Sequence, residues 1–155
     1  MDMKEARRLF MTYDGSCFYM SRDGVEATYR EAGVPPEVES AWLKELTHVR
    51  LRALPRKGNW KVLRFLNNRA DYQHLAAVAQ AEPKGVLWER CAFLEELLVY
   101  ARASEKAGGG HSLAAQAMRK VVVESERLLE RLSAKDSIGR IQAILVQARR
   151  TLEEA

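Results

Sequence analysis

Apolar positions in the second half of the chain recur at alternating steps of three and four. Leu87, Cys91, Leu94, Leu98 and Ala101 form one such seam. Ala114, Met118, Val121, Ser125, Leu128 and Leu132 form a second, and Ile138, Ile141, Leu145, Ala148 and Leu152 a third. That period puts each set on one face of an α-helix, as a narrow seam of coiled-coil type. Gly108-Gly109-Gly110 separates the first two helices, with Ser112 as the expected cap of the second. Ser133-Ala134-Lys135-Asp136 separates the last two, with Asp136 as the expected N-cap. Short loops make sequential helices antiparallel neighbours, so residues 85–155 are predicted to form an up-down-up three-helix bundle.

The first half is helical but more broken. Met3, Ala6, Leu9, Phe10 and Tyr13 fit one short helix, closed by an Asp14-Gly15-Ser16 turn. Residues 17–20 then either pair back as a hairpin strand or continue in helix and loop, since Asp-Gly favours tight turns. Ser21 is expected to cap a helix running to Ala32, with Gly33 as its C-terminal stop. Pro35-Pro36 opens a longer helix whose buried face is Val38, Trp42, Leu46, Val49 and Ala53, ended by Pro55 and Gly58. Between Trp60 and Gln80 the apolar phase shifts. Val62, Leu63, Leu66 and Ala70 share one face, and Tyr72, Leu75, Ala76 and Ala79 another. A break near Asn67-Asn68, with Asp71 capping a second helix, reconciles them.

The expected fold is therefore all-α, with about seven helices: a C-terminal antiparallel three-helix bundle on which shorter N-terminal helices pack. Its 155 residues fit one domain, with subdomains at 1–83 and 84–155 as the finer division. A globular chain of this size buries roughly 70% of its unfolded surface, so neither metal nor disulfide is needed to hold it. Cys17 and Cys91 belong to no paired motif and read as reduced thiols of a cytoplasmic protein. The N-terminal residues lack the apolar stretch of a signal peptide, and no run is long enough to span a bilayer.

Charge changes the picture. No acidic residue lies between Glu45 and Asp71, while Arg50, Arg52, Arg56, Lys57, Lys61, Arg64 and Arg69 all do. The net charge of the whole chain is +4, so everything outside this segment is net negative. Such segregation points to an anionic partner, either nucleic acid or an acidic protein. A helix starting near Asn59 would put Lys57, Lys61, Arg64 and Asn68 in one solvent-facing row, flanked by Trp60 and Phe65. Cations interleaved with aromatics suit phosphate and base contacts. Arg50 and Arg52 complement a helix C-terminus, but Lys57 and Lys61 sit at the unfavourable N-terminal end of the next helix. Helix-dipole complementation therefore leaves those two lysines unexplained.

Other chemistry is weaker. Glu45 with His48, and Asp71 with His74, have the three-residue spacing of carboxylate-bridged metal bundles. Their angular placement off the apolar stripes favours surface histidines, and no cofactor is expected. Gly33 between two helices outlines a helix-turn-helix, but Glu37 and Glu39 would meet phosphate at the start of the second helix. The triple glycine lacks the lysine and the preceding strand of a P-loop. No nucleophile elbow is present. Arg90 and Ser125 intrude on apolar seams, with Ser125 expected to bond back to its own helix.

The leading expectation is a non-enzymatic cytoplasmic interaction module. Arg56, Lys57, Trp60, Lys61 and Arg64, within a basic face spanning 50–69, would hold an anionic partner. Alternatives are a metal-binding bundle or enzyme using Glu45/His48 and Asp71/His74, or a structural subunit docking through Phe10, Tyr13, Phe18 and Tyr19. Self-association into a homo-oligomer is compatible with each.

Overall fold

The computed structural model describes residues 1–132 and 135–154, the side chains of 135–137 excepted. Among the described residues there are nine helices and no strand. They group into two compact units, Met1–Arg52 and Ala53–Ala155. Among the described residues no helix is long and apolar enough to cross a membrane.

The first unit holds α1 (Met3–Thr12), α2 (Cys17–Arg22), α3 (Glu26–Glu31) and α4 (Pro36–Leu51). Asp2 caps α1 by accepting from the Glu5 N–H at 2.7 Å. The helix count exceeds the expected seven partly because residues 17–20 are neither hairpin nor loop. They open α2, whose cap is Ser16, accepting from the Tyr19 N–H at 3.4 Å. Ser21 lies inside α2 instead of capping a helix to Ala32. Gly24, at φ +74°, turns the chain where that longer helix was expected to continue. The unit's core is Ala6, Phe10, Met20, Tyr29, Trp42 and Leu46. Phe10 packs on Trp42 and Tyr29 with ring centroids 5.6 and 6.4 Å apart. Val49, expected inside, is 53% exposed, and Thr47 is buried in its place, bonding back to the Leu43 carbonyl at 2.8 Å.

The second unit holds α5 (Trp60–Asn68), α6 (Leu75–Gln80), α7 (Leu87–Lys106), α8 (His111–Glu130) and α9 (Lys135–Glu153). The three long helices pack on one another, and α5 and α6 both pack on α7. The predicted seams are buried at Cys91, Leu94, Leu98 and Ala101, at Ala114, Met118, Val121 and Leu128, and at Ile141, Leu145 and Ala148. On α7 the apolar surface is far wider than one seam, because α5 and α6 cover its other side. Ala92, Phe93, Leu97 and Tyr100 are buried there as well. Fully burying each large side chain of this kind contributes about 1.5–3 kcal/mol.

Two local caps in this unit differ from expectation. Ser112 lies inside α8, whose N-cap position is Gly110. Gly109 is held by a 2.8 Å bond from its N–H to the Ser104 carbonyl, so the triple glycine closes the end of α7. The phase shift at Asn67-Asn68 is a true break, with Ala70 at φ +51°, but Asp71 caps no helix. Its carboxylate accepts from the Gln73 N–H and meets His74 at 3.2 Å, while α6 starts only at Leu75. Ser133, Ala134 and the side chain of Asp136 lie outside the described residues, so the expected cap there is not described. Ser125 does not bond back to its helix: its hydroxyl is buried without a hydrogen-bond partner.

Candidate anion-binding site in the second unit

Construction of this site begins at Asn59, which is completely buried. Its Nδ2 donates to the carbonyls of Leu54 and Glu82, both at 2.8 Å. Its Oδ1 accepts from the Lys84 N–H at 3.4 Å. One amide thus ties the 54–58 turn to the segment ahead of α7. Lys120 of α8 fastens the 81–82 stretch separately, donating to the Ala81 carbonyl at 3.1 Å and to the Glu82 carboxylate at 2.9 Å. The consequence is electrostatic. Arg56 and Lys57 on one loop, and Lys84 on the other, are exposed cations on two loops held by a single side chain.

Helix α5 begins at the next residue, so Trp60 occupies its first position. Val62, Leu63, Phe65 and Leu66 are buried, which leaves Lys61 and Arg64 facing solvent. Both cations lean on the Trp60 ring. Lys61 Nζ lies 5.7 Å from its centroid and Arg64 Cζ lies 4.6 Å from it. Each such contact is worth about 0.5–1 kcal/mol at an exposed site, with tryptophan the best partner. The Trp60 N–H is buried without a hydrogen-bond partner. Leaving a buried donor unpaired costs about 1–3 kcal/mol, so phenylalanine would serve simple burial better. The indole earns its place as a platform for cations.

The first turn of α7 closes the arrangement. Gly85 adopts φ +109°, and a β-carbon there would lie 1.8 Å from a Glu89 carboxylate oxygen. Only glycine fits. Glu89 accepts from the Val86 N–H at 3.0 Å, and Arg90 Nε donates to the Gly85 carbonyl at 2.9 Å. The latter bond accounts for Arg90 beside an apolar seam without any carboxylate partner. In the turn so held, Trp88 projects outward, 55% exposed, and meets Trp60 edge-on with centroids 5.8 Å apart.

Three acids border these cations, and each has its own partner. Glu82 is taken by Lys120 and Glu89 by the Val86 N–H. Glu96 accepts from Arg64 Nε at 2.8 Å and from Asn67 Nδ2 at 2.8 Å. Arg64 is therefore partly neutralised and fixed in place over the indole. Lys57 and Lys61 have no acidic partner among the described residues. The two lysines that helix-dipole complementation could not explain are among those left uncompensated.

The remaining basic residues divide between the units. Arg50 pairs with Asp14 and Arg52 Nη2 meets His48 Nε2 at 3.1 Å, both within the first unit. Arg69, in the second, lies 5.3 Å from the Phe65 ring. Trp88, Lys84 and Asn59 were not among the site residues expected from the sequence. The available signal was an aromatic at position 88, one residue off the Leu87 and Cys91 seam.

The other candidates find different uses. Glu45 bonds Arg7 at 2.5 Å, and His74 pairs with Asp71. No three His, Cys, Asp or Glu side chains are grouped to hold a metal ion among the described residues. Glu39, at the start of α4, accepts from the Tyr29 hydroxyl at 2.5 Å, and burial, aided by this bond, raises the phenol far above its ordinary pKa. Phe10 is core, whereas Phe18 is 72% exposed against Tyr19, so the aromatic cluster is not one surface. No family model matches the chain, and no curated protein or solved structure matches it either.

Proposed function

We propose that the second unit is a non-enzymatic, cytoplasmic binding module, its long helices running up, down and up, that holds an anionic partner on the Trp60–Trp88 face. The observation that carries this reading is Lys61 and Arg64 gathered on the Trp60 ring at the start of α5, beside exposed Arg56, Lys57 and Lys84. Cations at a helix N-terminus oppose the macrodipole, and Lys57 and Lys61 pair with no carboxylate among the described residues. An anion arriving from outside supplies the missing charge. Arg64, positioned by Glu96, orients the platform, while Lys57 and Lys61 provide the uncompensated attraction. No bond-making step is assigned to any residue.

Charge reversal at Lys57 and Lys61 tests this without disturbing the Arg64–Glu96 pair. Both side chains are exposed, so Lys57→Glu should change stability by no more than about 0.5 kcal/mol, and Lys61→Glu by about 0.5–1 kcal/mol through its lost contact with Trp60. The variant should keep the wild-type helical circular dichroism and elute from heparin-agarose at clearly lower salt. Elution of both proteins at the same salt would contradict the proposal.

A further inference from the structure

We infer that the partner of this face is a single-stranded nucleic acid, with a base stacked on Trp88. The inference rests on the anion-binding reading and adds the chemical class of the ligand.

The three tryptophans stand in different situations. Trp42 is buried in the first unit, and Trp60 is covered by its two cations and by Trp88. Trp88 alone offers a large aromatic surface to solvent, 55% exposed. It is also held in place. Its edge-on packing against Trp60 at 63° fixes it from below, and the Gly85–Glu89–Arg90 bonds fix the turn that carries it. A rigid, half-exposed indole among unpaired lysines combines the two elements that single-strand recognition uses: charge along the backbone and a platform for a base.

The chemistry separates this ligand from other anions. A duplex hides the faces of its bases inside the stack, so it could use the lysines but not the indole. An acidic peptide likewise satisfies charge and leaves Trp88 without a role. A nucleotide strand engages both, because every base presents a flat π-face whatever its sequence. The expected preference is therefore for single strands with little sequence discrimination. Arg56, Lys57, Lys61 and Lys84 would follow the phosphates.

The test compares three labelled probes of equal length at one low salt concentration, using the full chain. They are a mixed-sequence single strand, its duplex, and an abasic deoxyribose-phosphate strand that keeps the charge without the bases. The single strand should bind tightest. Trp88→Ala should weaken it on the order of tenfold, to the level of the abasic strand, whereas Trp88→Phe should retain most of the affinity. Binding of the abasic strand should be unchanged by either substitution. Equal affinity for single and abasic strands, insensitive to Trp88→Ala, would overturn the base-stacking inference and leave the anion-binding reading intact. Preference for the duplex would do the same. Failure of all three probes to bind would overturn both.

Discussion

Asn59→Ala is expected to destabilise the second unit by about 3 kcal/mol, from the buried Leu54 carbonyl and the part-buried Glu82 carbonyl left without their donor at roughly 1–3 kcal/mol each. The side chain is fully buried and donates at 2.8 Å to both Leu54 and Glu82. Alanine can do neither. Asn59→Asp should be worse, because a carboxylate has no N–H to give and would face two carbonyl oxygens out of water. Urea denaturation followed by circular dichroism reads the effect as a lower midpoint at constant slope. A midpoint unchanged in Asn59→Ala would show that the two loops hold together without this amide. The same change should weaken anion binding, since the amide sets the relation of Arg56 and Lys57 to Lys84.

Tyr100→Phe is expected to lower stability by about 2 kcal/mol, again through groups left without partners in the interior. The ring is completely buried on α7. Its hydroxyl donates to the Asp71 carbonyl at 2.7 Å and accepts from the His74 N–H at 3.1 Å. It thereby fastens the turn between α5 and α6. Burial is the main cause that pushes this phenol up to about 12. The raised value fixes the sign of the pH dependence. Above pH 10 the unfolded chain releases the phenolic proton while the folded protein retains it, so the folded state binds more protons and stability falls as pH rises. The contribution is intact below pH 10 and disappears as pH approaches about 12. Tyr100→Phe should remove that part of the alkaline decline, which stability measurements on both proteins between pH 9 and 12 would show. Parallel alkaline limbs would contradict the assignment.

Much of the second unit was legible in the order of its residues. The three seams of α7, α8 and α9 are buried along their middles where the three-and-four spacing put them, because periodic burial is a property of one helix against its neighbours. Leu87, Leu132, Ile138 and Leu152, at the ends of the seams, are half-buried. The width of the α7 core was not legible. Phe93, Leu97 and Tyr100 become interior only because α5 and α6 cover a second side, a tertiary fact that no local period contains. The cap at Asp71 failed for a similar reason. A short polar side chain before a helix has several donors to choose from, and here the turn carrying Gln73 and His74 took it. At the site, Lys61 and Arg64 beside Trp60 could be read from charge and phase. Lys84 and Trp88 join it through Asn59, whose three bonds span residues more than twenty positions apart or set by a turn. Asparagine at a helix start ordinarily suggests a cap, so its part in assembling two loops had no sequence signature.

The central claim is that unpaired lysines around the Trp60–Trp88 face attract a polyanion, and the salt dependence of that attraction tests it most directly. Fluorescence anisotropy of a labelled single strand, titrated at several salt concentrations, gives log K against log[salt]. With Arg56, Lys57, Lys61 and Lys84 meeting phosphates, the slope should be about −3. In Lys57→Glu/Lys61→Glu the slope should fall to about half or less, with binding weakened throughout. Absence of binding at the lowest salt, or an unchanged slope in the variant, would contradict the claim.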